Sequence, residues 1–401
     1  MNRASDRNLT ERAQPGPSSA QRFAWLDSIK GIAMLWIVFF HFFITFAGDR
    51  YPWNITPSNI QSFVDGCAPT GLVARMVCWL EALIVVLIQG GPYAVSVFIL
   101  FSGFGLTYSL VKKGKEPDWP TWYRKRIWRL FPIYWLAHLI CLVSPFLYLQ
   151  SPIDYRFVLS FLGDRIIPVD KMFFYLNPSW WFFGLLLQLY IVFPLLYRLL
   201  QKLGPAKFLM VGAAFAAATR YFLNWVIYAD GNWAMGAFFG ARVWEFAAGM
   251  SLGSLLARHP GKTLERLFSA RGFIAGVFLF ALGVWSYQPS FTFCFSDGLI
   301  GMGLSIILAH LSNQLNRIPI LAGMFSFVGL YSYSVYLFHQ PYVMYAGEKL
   351  HGTGIWVYLT LGSAIVAAVV AGAAYVEWSV NRGLERLTQR FSKPQTVRAG
   401  L

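Results

Sequence analysis

Leu26-Asp27-Ser28-Ile29-Lys30-Gly31-Ile32-Ala33-Met34-Leu35-Trp36-Ile37-Val38-Phe39-Phe40-His41 opens an apolar run that continues to about residue 47. A bilayer crossing takes about 20 mostly apolar residues, so 25–47 reads as a membrane span. Nine more runs of that kind follow, at about 93–111, 127–149, 179–200, 206–223, 234–257, 272–288, 294–312, 323–346 and 354–378. The stretch 72–90 is also apolar but carries Arg75 and Glu81. It reads as a partly inserted or re-entrant helix on the outer side; if it crossed fully, every later orientation would invert. The expected fold is an all-α, polytopic transmembrane helix bundle of about ten spans.

Composition agrees. Of 401 residues, 57% are hydrophobic, 18% aromatic and 13% charged, whereas soluble domains are about half apolar and a quarter charged. Residues 1–24 are polar, with Pro15, Gly16, Pro17, Ser18 and Ser19, and read as a disordered cytoplasmic tail. Residues 25–378 form the membrane domain, and 379–401 read as a second cytoplasmic tail. No cleavable signal is evident.

The net charge of +15 would suggest a nucleic-acid partner in a soluble protein. In a membrane protein, Lys and Arg gather in cytoplasmic loops, and no nucleic acid is expected. With the N-terminus inside, 23 of these cations fall on the inner side and seven outside, Arg220 among the seven. Both termini are therefore expected in the cytoplasm. Cys67, Cys78, Cys141 and Cys294 show no metal-ligand spacing, and no metal is expected. Cys67 and Cys78 could pair outside the cell, but nothing in their spacing requires it. Gly236/Gly240 and Gly249/Gly253 are small-xxx-small pairs that let helices approach closely.

Ionisable groups within a bilayer are costly and mark functional candidates. Lys30 and His41 are 11 residues apart, three helical turns plus about 20°, so they share a face about 16 Å apart along the axis. Asp27 lies one turn before Lys30 and can pair with it. Arg126 and Arg129 share a face at the cytoplasmic mouth of the third span, and planar guanidinium groups suit phosphates; ordinary headgroup anchoring is the alternative. Arg242 and Glu245 can neutralise each other, as a structural pair or as part of a substrate site. His339 could bond an acceptor or a neighbouring helix. His138 and His310 read as packing or interfacial residues.

These residues sit in segments that resemble the acyltransferase-3 family of membrane O-acyltransferases. Lys30 with His41 resembles its Arg/Lys-x10-His motif within a Leu-Asp-x-x-Arg/Lys-Gly opening. Val97-Phe98-Ile99-Leu100-Phe101-Ser102-Gly103-Phe104 resembles its Phe-Phe-x-x-Ser-Gly-Phe span. Arg126-x-x-Arg129 with Pro132 and Tyr134, Trp181-Phe182 with Tyr190 and Pro194, Glu245-Phe246-x-x-Gly249-Met250, and Tyr333-Ser334-x-Tyr336-Leu337-x-His339-x-Pro341 follow in family order. Two features depart from the pattern. Leu187-Gln188-Leu189-Tyr190 stands where many members carry paired carboxylates. The tail after about residue 378 is too short for the hydrolase-like domain that many members carry.

The resemblance implies transfer of an acyl group, often acetyl, from cytoplasmic acyl-CoA to a hydroxyl of an envelope glycan or lipid-linked sugar. The expected partners are acyl-CoA, that acceptor and the lipid bilayer, with no bound cofactor, in a multi-pass protein of a bacterial inner membrane. His41 is the expected general base, with an acyl-histidine relay as the alternative. Lys30 and Asp27 would set local charge or bind donor, and Arg126 and Arg129 would hold its phosphates. Glu245, Arg242, His339, Ser102 and Trp181 are candidates for the acceptor side or for structure. Trp53, Trp180 and Trp181 could stack on a sugar or anchor the interface. The competing class is a transporter of a lipid-linked sugar or small molecule.

Overall fold

The computed structural model describes residues 24–392, except 53–55, 68–69, 145–151, 233–235 and 289–290. Trp53 and the expected N-terminal tail lie outside the described residues. The described residues form helices and contain no strand. In chain order they are α1 (Ala24–Phe46), α2 (Pro57–Cys67), α3 (Leu72–Gln89), α4 (Ala94–Lys113), α5 (Trp119–Val143), α6 (Tyr155–Phe161), α7 (Val169–Met172) and α8 (Trp181–Tyr221). After these come α9 (Phe239–Arg258), α10 (Pro260–Leu267), α11 (Ala270–Trp285), α12 (Ser296–Leu315), α13 (Pro319–Leu330), α14 (Ser332–Leu350) and α15 (Ile355–Ser392). Leu72, Ile274, Phe278, Trp285 and Tyr375 are more than 60% exposed, as suits side chains that face lipid rather than water.

Among the described residues, six helical segments are long and apolar enough to cross a membrane, and up to eight if each of two bent pairs is one span. The expected ten are not established by that measure, for physical reasons. Segments 72–113 and 178–226 have 42 and 49 residues, roughly twice a single crossing. α9 carries Arg242 and Glu245 within its length, which lowers its mean hydropathy. The stretch 72–90, expected as a partly inserted or re-entrant helix, is α3, and it runs on into α4 through one 3-10 turn, Gly91–Tyr93. A disulfide, Cys67–Cys78, ties α3 to α2, with the Arg75–Asp65 ion pair beside it at 2.7 Å.

The expected fourth and fifth spans fall on the two arms of α8, which breaks at Gly204 (φ 74°) before Pro205. Contacts with α9 show that the chain reverses there. On the first arm Gln188 bonds Ala237 and Phe239, and Gln201 accepts from Arg258, so this arm runs alongside α9 in the same sense. On the second arm Pro205 accepts from Ser251, Gly212 abuts Ala247 and Thr219 abuts Gly240, so this arm runs back. A left-handed glycine followed by proline ends one helix and starts the next. The expected ninth span is likewise not straight: α13 and α14 meet at 82°.

α1 lies at the centre, packed by α4, α12, α13, α14 and α15. Glycines permit the closest approaches. A Cβ on Gly31 would lie 1.9 Å from the Phe325 carbonyl oxygen, and one on Gly329 would lie 1.8 Å from that of Asp27. A Cβ on Gly249 would lie 1.7 Å from the Leu100 carbonyl oxygen, which fixes α9 against α4. From that base α14 climbs beside α1 in the same direction: Thr45 donates to the Met344 carbonyl at 2.7 Å.

Candidate active site

The parallel run of α1 and α14 brings two expected residues together. His41 Nδ1 and His339 Nε2 are 3.0 Å apart, with ring centroids at 5.0 Å. The tautomers follow from the partners. His339 Nδ1 lies 2.9 Å from the Val335 carbonyl and 3.0 Å from that of Tyr336, and only an N–H satisfies a carbonyl. In the neutral ring its Nε2 is then an acceptor, and His41 Nδ1–H is the donor. The Ile37 carbonyl, one turn back, also backs the His41 ring. This leaves the lone pair on His41 Nε2, the atom able to take a proton. The pair has the base-plus-orienter logic of catalytic dyads.

The segment that leads into α8 fixes α14 on either side of His339. Tyr336 Oη accepts from Phe183 N–H and donates to the Ser179 carbonyl, both at 2.9 Å. Gln340 Oε1 accepts from the N–H and the hydroxyl of Ser179. Leu337 O accepts from Trp180 Nε1 at 2.9 Å and from Asn177 Nδ2 at 3.1 Å. Arg165, fully buried, organises this loop by donating to Ser160 Oγ and to the carbonyls of Phe173, Tyr175 and Asn177. Burial pulls the pKa of that guanidinium below its ordinary value. Nothing in the sequence distinguished Arg165 from the other cations expected on the outer side. Trp180 is fully buried, so it cannot stack on a sugar; Trp181 stacks on Phe173 at 5.5 Å.

Lys30 pairs with Asp27 at 2.9 Å, three turns from His41, and the structure does not bring this pair into contact with the two histidines. Arg126 lies half-buried with its guanidinium 5.3 Å from the Trp122 ring centroid, and its Nε has no hydrogen-bond partner among the described residues. Arg129, one turn on, is exposed. Glu377 on α15 interacts electrostatically with Arg129 and accepts from Ser334 Oγ at 2.5 Å, while Tyr333 donates to the Leu130 carbonyl at 2.8 Å. The sequence reading missed Glu377, which sits inside the last apolar run. Ser102 is half-buried on α4, between Phe101, which packs on Trp25, and Gly103, which packs on Phe246.

Arg242 and Glu245 do pair, at 2.7 Å, within a larger buried cluster. Asp297 bonds Arg220 at 2.6 Å and Arg242 at 3.3 Å, and Ser96 accepts from Arg242 at 2.8 Å. Arg220, expected among the outer cations, is 1% exposed. Gln188 joins α8 to the start of α9 by accepting from Phe239 N–H. His138 bonds the Tyr134 carbonyl and Ser160, and His310 bonds the Leu267 carbonyl, both in packing roles.

The sequence model of the acyltransferase-3 family, described as an acyltransferase domain, matches residues 23–378. The chain belongs to the acyltransferase-3 family. It is a multi-pass membrane acyltransferase, and the match spans α1 through most of α15, so both histidines of the acyltransferase lie within it. No curated protein and no solved structure matches the chain.

Proposed function

We propose that this acyltransferase moves an acyl group, acetyl in the simplest case, from cytoplasmic acyl-CoA to a hydroxyl of an envelope glycan or lipid-linked sugar. The topology that goes with it is ten crossings with both termini in the cytoplasm of a bacterial inner membrane. The observation that carries the reading is the His41–His339 hydrogen bond, which leaves one imidazole nitrogen as a base within the bundle. His41 Nε2 takes the acceptor hydroxyl proton as the oxygen attacks the thioester carbonyl. The C–S bond then breaks, and the imidazolium returns the proton to the departing thiolate. Proton transfer of this kind contributes about 10²- to 10⁴-fold. Arg126 and Arg129 hold donor phosphates, and Lys30 with Asp27 sets the charge at the cytoplasmic end of α1.

The test follows acetyl-CoA cleavage by the purified protein in detergent, together with NMR of surface polysaccharide from cells with and without it. Thiol release dependent on His41, with acetyl signals lost from cells lacking the protein, supports the reading. Intact acetyl-CoA and an unchanged glycan overturn it.

A further inference from the structure

The reversal of α8 at Gly204 leaves a groove between its two arms and α9, of about 470 Å³, within the range of small-molecule sites. Val192, Leu195, Phe208, Val211, Phe215 and Val243 make its walls apolar. Leu195 is 68% exposed, and Val211 and Phe215 are 45% and 49% exposed, so the groove opens sideways towards lipid. Among the described residues, no lining residue comes from α1 or α14, which places the groove away from the histidine pair.

Among the described residues, the only charged ones that line it are Arg198 and Lys202. They stand one helical turn apart, at the end next to the Gly204 turn. Among the described contacts neither has a hydrogen-bond or ion-pair partner, and no acid lines the groove. An apolar slot that ends in two unneutralised cations complements a molecule with an anionic head and a hydrocarbon chain. Guanidinium and ammonium groups both bind phosphate oxygens well.

We propose that the crook of α8 holds one anionic phospholipid, its acyl chain between the arms and its phosphate on Arg198 and Lys202. Ordinary cytoplasmic anchoring also places cations at helix ends, but it requires no groove and no preference for one lipid in one place. Native mass spectrometry of the purified chain with dioleoyl phosphatidylglycerol or dioleoyl phosphatidylcholine separates the two.

One phosphatidylglycerol should survive activation that strips phosphatidylcholine. Arg198→Gln with Lys202→Gln should cut that retention by at least about tenfold. Lys113→Gln with Lys115→Gln, on the solvated loop, should leave it unchanged. Leu195→Trp, at the exposed rim where the larger ring is accommodated, should lower retention of phosphatidylglycerol as well. Equal retention of the two lipids by the unaltered protein, or retention that survives the Arg198/Lys202 change, overturns the proposal.

Discussion

His41 and His339 stand 298 residues apart in the chain and 3.0 Å apart in space. The proton on His339 Nδ1 is spoken for by two backbone carbonyls, so the relation between the rings has a direction: His339 accepts and His41 donates. The two residues should therefore fail differently. His41→Ala should lower turnover by about 10²- to 10⁴-fold. His41→Gln should be nearly as inactive, since an amide takes no proton at neutral pH. His339→Ala should cost less, on the scale of one hydrogen bond, about 0.5–1.5 kcal/mol. His339→Gln, whose carbonyl oxygen can still accept from His41, should recover part of that. Steady-state kinetics of the four variants decides; near-normal turnover in His41→Gln would make His41 a packing residue.

Arg129 is exposed, with Glu377 as its electrostatic neighbour, and in the proposed orientation it lies at the cytoplasmic mouth. Arg129→Ala should weaken acyl-CoA use far more than acceptor use, by about 1.5–3 kcal/mol for a lost charge-assisted bond, tenfold or more in affinity. Lys113→Ala should change little. Equal effects in donor titrations would mean that bulk positive charge is all that matters.

Asp297 bridges Arg220 and Arg242, and Glu245 also pairs with Arg242. Asp297→Ala leaves two guanidinium groups buried side by side, and breaking a buried pair this way costs about 3–5 kcal/mol. Thermal unfolding in detergent should fall markedly, whereas the exposed pair Arg75–Asp65 should tolerate Asp65→Ala with a loss of at most about 1 kcal/mol. Unfolding of Asp297→Ala at the unaltered temperature would show that the cluster is not structural.

The proposed orientation places the Cys67–Cys78 disulfide on the oxidising outer side, where such bonds persist. A membrane-impermeant maleimide applied to intact spheroplasts should label these cysteines only after reduction. Reporter fusions at Gly48, Gly114 and Gly400 should read outside, inside and inside. An outside signal at Gly114 with an inside signal at Gly48 would invert the topology.

Much of this was legible because a bilayer leaves a coarse mark on sequence. The run from Leu26 to Phe46 became α1, and Gly249 sits where two helices nearly touch. Charge spacing exposed Asp27 with Lys30 and Arg242 with Glu245. What stayed hidden depends on distant partners. Asp297 stands at the start of α12, inside the expected 294–312 span, and was not singled out, and Arg220 near the end of α8 passed for an outer cation; their pairing crosses 77 residues. The bend between α13 and α14 left no proline or glycine at Tyr331 to betray it. His41 and His339 were each visible, but their hydrogen bond was not, because helix periodicity relates residues within one helix and says nothing of which helices will be neighbours.

The glycine contact between Gly31 and α13, and the climb of α14 beside α1, bear on the order of biosynthesis. α1 leaves the ribosome first, yet the helices that clasp it arrive almost last. At about 5–20 residues per second, roughly 15–60 s pass before His339 exists to meet His41. A nascent or truncated chain that ends before α14 therefore holds His41 without its His339 partner, and the hydrogen bond between the two rings forms only late in synthesis.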